Sequence, residues 1–482
     1  MMRRKLLAAM LPAAVCAFSF SAAAGDDRDD DDRDYGRSWK QVDPAMVAAR
    51  RQFFGVENVD DRGRVKKDKV IFSWLTNTTY AVSVKGRIIL LDSYINRPEL
   101  APASGLDRRR TPFNPTDLVK LNPEAIFLGH GHGDHAHHGA YIAKWTGATI
   151  YASAETCVAM QDDVQRMWND PNLHNNGAKI VPNADPVNCV AVTPAGSRPG
   201  GYDETRNPPS QWTTLHQFDS VACIRAFKFI HSGTAPVDPS FQHFPLSNLG
   251  DPRYAGGTFL TQPTPPATPQ TITYPAMFPV TTPFIPPTNP ANRVPGQINT
   301  NTGGVGGGGA IVIFYHFTLK GDHDFSFGWV NSAGPAKEGI GSDPGLVTLT
   351  QYNDPAFPQE TKDLAKRIGN SLFDLMDRLP GTDVLFGSIV SLGAANNQQR
   401  DIINVIDHLK PKVYYPGHVT DVAQAGSAMY HKINFRETWL AMGLGEMPEF
   451  RAQIDPNDYG VPQVFDPKDD RWGKRSSSQS CR

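Results

Sequence analysis

Apolar and polar positions recur along the chain in the order expected of layered strands and helices. Residues 70–75 and 79–84 are β-branched and aromatic runs, and the turn Lys85-Gly86-Arg87 leads into a third run at 88–93. Three consecutive antiparallel strands are predicted, with organised structure beginning near Lys69. Residues 116–121 read as a short helix between Pro115 and Pro123, 125–128 as a buried strand, 139–146 as a helix closed by Gly147, and 148–152 as the next strand. That alternation is the βαβ rhythm of an α/β layer. From 169 to 211 Pro, Asn and Gly are frequent, and only 179–181 and 190–192 are predicted as strands. A clear strand returns at 221–230. Residues 310–319 and 325–330 form a predicted hairpin, and Asp322, His323 and Asp324 read as its polar tip. Helical periodicity over 359–378, through Leu364, Ile368, Leu372 and Leu375, precedes a strand at 383–386, a helix at 398–409 and a strand at 413–415.

Two segments of equal length repeat one another. Residues 121–130 and 409–418 share Leu, Pro, Gly and His in register, each a helix end, a proline stop, an apolar strand and a Gly-His tip. Two half-domains facing each other would bring both tips to one cleft between β layers.

The first tip opens the densest chemistry in the chain, His130-Gly131-His132-Gly133-Asp134-His135. Divalent metals need deprotonated N and O donors on a preset backbone, and catalytic zinc takes such ligands with a position left for water. Glycines between the donors let the backbone turn tightly enough for them to converge. The spacing His-x-His-x-Asp-His after a strand resembles the metal-binding motif of the metallo-β-lactamase superfamily. The resemblance spans about 70–418 without the insertion described below. It implies an α/β fold, the αββα four-layer sandwich, and one or two Zn2+ ions, with other divalent metals open. It places His130, His132 and His231 on one metal and Asp134, His135 and His418 on the other. Asp92, at the end of an apolar strand, would support the ligand loop by hydrogen bonds. Asp421 is equally well read as a helix cap. The ascorbate-phosphate lactonase-like branch is the one the motifs look most like. The family's bridging aspartate has Ser332 in its place, within Asn331-Ser332-Ala333-Gly334. This leaves the number of metals open, and a carboxylate from elsewhere, such as Asp343, could substitute.

Composition narrows the setting. Lys and Arg number 47 against 49 Asp and Glu, with no basic run interleaved with aromatics, which argues against a nucleic-acid partner. Arg3, Arg4 and Lys5, an apolar stretch over 6–20 and small residues before Gly25 have the three parts of a secretory signal peptide. The apolar stretch is shorter than the roughly 20 residues a spanning helix needs, so no stable membrane span is expected. The expected organisation is a leader at 1–24, an acidic disordered tail at 25–40, one domain over 41–455 and a C-terminal tail over 456–482. A Pro- and Gly-rich insertion occupies about 244–309, placed to shape a pocket or to make a surface excursion. Cys157, Cys189, Cys223 and Cys481 allow three pairings in an oxidising compartment. The function expected is that of a periplasmic or secreted metal-dependent hydrolase acting on a carbonyl or phosphoryl centre of a small-molecule or lipid-like substrate: lactone, amide or phosphodiester. The metal would activate water, and Asp134 would orient it or accept its proton. The alternative is a non-catalytic exported protein that keeps the fold and a metal.

Overall fold

The structure is a computed structural model that describes residues 42–95, 112–171, 177–192, 212–230, 311–321, 325–332, 349–388, 398–418, 432–433, 435–440, 442–453 and 456–472. The leader, the acidic tail, His231, the 244–309 insertion, the hairpin tip 322–324, Asp343, Asp421 and Cys481 lie outside the described residues.

Two seven-stranded sheets face each other. The first runs, in order, β14 (Pro462–Phe465), β1 (Val70–Thr76), β2 (Thr79–Val84), β3 (Arg87–Leu91), β4 (Ala125–Phe127), β5 (Thr149–Ala152) and β6 (Cys189–Ala191). The second runs β13 (Glu449–Phe450), β12 (Val413–Gly417), β11 (Val384–Ser388), β10 (Ser326–Val330), β9 (Ile311–Leu319), β8 (Ala222–Ile230) and β7 (Thr213–Leu215). The helices beside the first sheet are α1 (Pro44–Phe54), α2 (Pro115–Leu121), α4 (Gly139–Thr146) and α5 (Ala154–Asn169), while α3 (Gly133–Ala136) is a single turn. Beside the second sheet are α7 (Gln359–Asp377) and α8 (Gln398–Leu409), with α6 (Leu349–Asn353) leading into α7. This is the four-layer αββα sandwich that the resemblance implies.

Strand alternation decides which residues meet. On β9, Ile313, Tyr315 and Phe317 join the layer between the sheets, whereas Val312 and Phe314 join the layer beneath α7 and α8. On β11 and β12, Phe386 and Tyr415 face inward, and Leu385 and Tyr414 face the helices. The inter-sheet layer is strongly aromatic. Phe72 of the first sheet meets Phe327 and Phe386 of the second at ring distances of 4.9 and 4.4 Å, and Phe127 meets Tyr315 and Phe317 at 5.3 and 5.2 Å. Edge-on and tilted aromatic contacts of this kind add to the area they bury, so the facing of the sheets is specified as well as favoured.

Several expectations need correction. A helix precedes Lys69, where organised structure is expected to begin: α1 starts on the Asp43 side chain, which accepts from the Ala45 N–H, with Pro44 in its first turn. Helix α5, capped by Ser153, is an additional element that the apolar pattern does not announce, and 179–181 is irregular and not a strand. Residues 462–465 are not a tail. They pair antiparallel with β1, and Phe465 is buried against Phe72, Phe325 and Trp472. One disulfide joins Cys157 of α5 to Cys189 of β6, and Cys223 is also disulfide-bonded.

The repeat is local and does not mark the symmetry of the fold. Asn122 and Lys410 do match, each left-handed (φ 52° and 51°) between its helix and its proline. Yet both sheets carry three antiparallel pairings followed by three parallel ones, which aligns β3 with β10 and β4 with β11. The repeated tips therefore sit on β4 and on β12, the equivalent of β5. That correspondence places Asp92, just after β3, and Asn331, just after β10, in matching positions.

Candidate metal centre

Parallel strands gather their C-terminal ends at one edge, and four such ends supply this site. Asp92 follows β3, His130 lies three residues past β4, Asn331 follows β10 and His418 follows β12. Gly129 brings the backbone into contact with the opposite sheet, its carbonyl accepting from the Ile313 N–H at 2.7 Å. A Cβ at 129 would overlap the whole Asn331 amide, so only glycine fits.

Asp134 and His135 lie on the α3 turn. Ser93 pins that turn by donating its N–H and its hydroxyl to the His135 carbonyl at 2.8 and 3.2 Å. The Asp134 Oδ2 lies 3.1 Å from His418 Nε2 and 3.5 Å from His135 Nε2. Among the described residues, Asp134, His135 and His418 are the group of donors able to hold a metal ion, with one ligand atom from each lying within 4.8 Å of the others. The His130 ring is 4.2 Å from that of His135 and 4.4 Å from that of His132, measured between centroids. The structure thus gathers His130, His132, Asp134, His135 and His418, with Asp92 beneath them.

Asp92 is fully buried and hydrogen-bonded on every side. It accepts from Thr78 Oγ1 at 2.6 Å, His135 Nδ1 at 2.8 Å, the Gly129 N–H at 3.3 Å and the Asn331 amide at 2.8 and 3.0 Å. With Nδ1 held by Asp92, Nε2 is the His135 nitrogen turned toward Asp134, the arrangement that outer carboxylates impose on metal-ligating imidazoles.

The turn between β1 and β2 also enters the site. The Asn77 amide donates to the Asp134 carbonyl at 2.7 Å and to its carboxylate at 3.3 Å, and the Asn77 carbonyl accepts from the His418 N–H at 3.2 Å. One side chain thus holds the α3 turn while its backbone holds the β12 tip. Asn77, Asp92 and His418 all have left-handed backbones, at φ 48°, 56° and 66°. Such non-glycine outliers persist where surrounding structure over-determines them, commonly at functional sites.

The charges are strongly coupled. Burial pushes the Asp134 carboxyl up, but the charge of His135, together with His418 and His132, outweighs it and holds the group well below the usual carboxylate range. Burial pushes His135 down, and the carboxylates of Asp134 and Asp92 more than reverse this, so His135 is raised. Burial takes His132 down to about 4 against the pull of Asp134, so this ring is neutral at pH 7. His137 is likewise lowered to about 4, by burial and then by Arg166.

No family model matches the chain, and no curated protein matches it. Among solved structures, the chain is similar to Igni18, a metallo hydrolase from Ignicoccus hospitalis (11% identity, 82% of this chain and 98% of that one, TM-score 0.38). It is similar also to CmlA, a diiron β-hydroxylase from Streptomyces venezuelae (8%, 83% and 55%, TM-score 0.34), and to Zn2+-bound PqqB from Methylobacterium extorquens (11%, 80% and 86%, TM-score 0.33). These similarities are too distant to transfer a function, and nothing in them points to the ascorbate-phosphate lactonase branch.

Asn77, Thr78 and Asn331 were not identified from the sequence as site residues. At 331–332 the side chain engaged with His130 and Asp92 is Asn331, while Ser332 is the buried residue beside it. A polar residue directly after an apolar strand was the available signal at 331, the same signal that singled out Asp92.

Proposed function

We propose that this protein is a metal-dependent hydrolase of the metallo-β-lactamase superfamily. The observation that carries this reading is the convergence of Asp134, His135 and His418 from two sheets, with the His135 tautomer fixed by Asp92. Two imidazoles and a carboxylate suit zinc and other divalent ions, and the set leaves coordination positions open. A divalent cation held there lowers the pKa of water to near neutrality and polarises an electrophilic oxygen. His130 and His132, beside the first group, would share a second ion with His231. Asp134 is half-exposed and held ionised by its neighbours, which favours a role as ligand and orienting group over that of proton acceptor. Because His135 is raised, protons compete for its Nε2 more strongly than for an ordinary imidazole, so loading of the site should weaken as pH falls.

The substrate in this proposal is a small or lipid-like molecule with a hydrolysable carbonyl or phosphoryl centre. Export to an oxidising compartment is part of it, supported by the leader pattern and by the Cys157–Cys189 bond. No helix of the described residues is long and apolar enough to cross a membrane.

Metal analysis and a hydrolysis screen over lactones, phosphodiesters and β-lactams test the proposal. The expected result is bound zinc and turnover, both lost in Asp134→Asn and His130→Ala. Purified protein that takes up no divalent metal and turns over none of these substrates would end the hydrolase reading. Metal without turnover would return the non-catalytic alternative.

A further inference from the structure

The network beneath the ligands has only one consistent assignment of hydrogens. Both Asp92 oxygens can only accept, so the nitrogen of the Asn331 amide must face them, as its distances of 2.8 and 3.0 Å require. The Asn331 Oδ1 is then turned to His130 Nδ1, 2.8 Å away. An amide oxygen also only accepts, so a hydrogen lies on Nδ1, and in the neutral ring the lone pair of His130 is then on Nε2. Asp92 acts on His135 in the same way without an intermediary. One buried carboxylate thus fixes two imidazoles, one directly and one through a neutral amide.

We infer that Asn331 is a positioning residue that relays the charge of Asp92 to His130, holding His130 as the Nδ1–H tautomer with Nε2 committed to the metal. This rests on the metal-site reading above in its last step only. Asn331 is fully buried, and its amide lies across Gly129 where any larger residue would overlap it. The relay also couples the halves of the sandwich, because Asp92 follows β3 of one sheet and Asn331 follows β10 of the other. A direct carboxylate at 331 could not do this, since two acceptors would face each other across the same gap.

The test uses full-length, 15N-labelled, metal-free protein. Long-range 1H–15N spectra report which ring nitrogen of His130 carries hydrogen, with His130→Gln as the assignment control and thermal unfolding as the check on folding. Wild type is expected to show Nδ1–H. Asn331→Leu removes both arms of the relay and is expected to mix the tautomers and to weaken zinc binding, read by chelator competition, by about 10–100-fold. Asp92→Asn leaves Asn331 in place but lets its amide reverse, and it too is expected to mix the His130 tautomers. A folded Asn331→Leu protein with the wild-type His130 pattern and zinc affinity overturns the relay. If that variant does not fold, an unchanged His130 pattern in Asp92→Asn overturns it equally. A wild-type protein that takes up no zinc but shows the tautomer shifts would defeat the proposed function and leave the relay standing.

Discussion

Gly129→Ala perturbs the site by a single methyl group. Its backbone φ lies outside the left-handed region, so alanine meets no conformational penalty there, and the cost comes from overlap with Asn331 alone. The amide must leave, forfeiting its bond to His130 at 2.8 Å and its two-pronged bond to Asp92 at 2.8 and 3.0 Å. A hydrogen bond to a charged group contributes ~1.5–3 kcal/mol and a neutral one ~1 kcal/mol. Forcing a buried side chain off its rotamer adds ~1–3 kcal/mol, for a total destabilisation of about 4–7 kcal/mol. Urea unfolding of four proteins, wild type, Gly129→Ala, Asn331→Ala and the double variant, isolates the overlap. In the Asn331→Ala background the methyl has room, so its cost should fall below ~1 kcal/mol, and a Gly-to-Ala change in compatible backbone can even stabilise. A neutral Gly129→Ala, or one with the same cost in both backgrounds, would refute the claim that the Asn331 amide lies across Gly129.

Other perturbations probe the frame. Phe465→Ala, on the C-terminal strand beside Phe72, should cost ~3–5 kcal/mol in urea unfolding, and a cost under ~1 kcal/mol would mean that β14 is not part of the cooperative fold. Replacing the Cys157–Cys189 bond, which spans 32 residues, by Cys157→Ser/Cys189→Ser under non-reducing conditions that keep the Cys223 bond intact should lower stability by about 3–4 kcal/mol in urea unfolding, and a loss under ~1 kcal/mol would mean that this bond does not constrain the fold. Burial pushes the phenols of Tyr80, Tyr315 and Tyr414 above the ordinary tyrosine range. A group raised in the folded state contributes stability that is present below its unfolded pKa, roughly 10, and that is lost as pH climbs toward the folded value. Tyrosinate absorbance and circular dichroism should therefore change together above about pH 10, and ionisation of these tyrosines in a still-folded protein would contradict their burial.

Much of the frame was legible because its signals are local. Alternation and turn residues marked β1 to β3, and Pro123 and Pro411 marked where α2 and α8 stop. The candidate metal cluster was legible for the same reason, since four of its donors lie within six residues. Helix α1 carried a readable start in Asp43-Pro44 that the strong strand pattern after it obscured. Strand β14 carried almost none. It is four residues long, begins with proline and is stabilised by a partner from the opposite end of the chain, so nothing nearby in sequence reveals it.

By itself the sequence indicated most of the strands, the layer type and a cluster of candidate metal donors, because each depends on the spacing of residues a few positions apart. Tertiary structure alone decided what those donors can do. Asn77, Thr78 and Asn331 are ordinary turn and strand-end residues until the two sheets face each other. Only then does Asn77 hold Asp134 and His418 together, and Asn331 join Asp92 to His130. The physical reason is that the hydrogen bond at one imidazole nitrogen fixes the ring's orientation and which nitrogen it presents, and here the groups that make that bond come from strands distant in sequence.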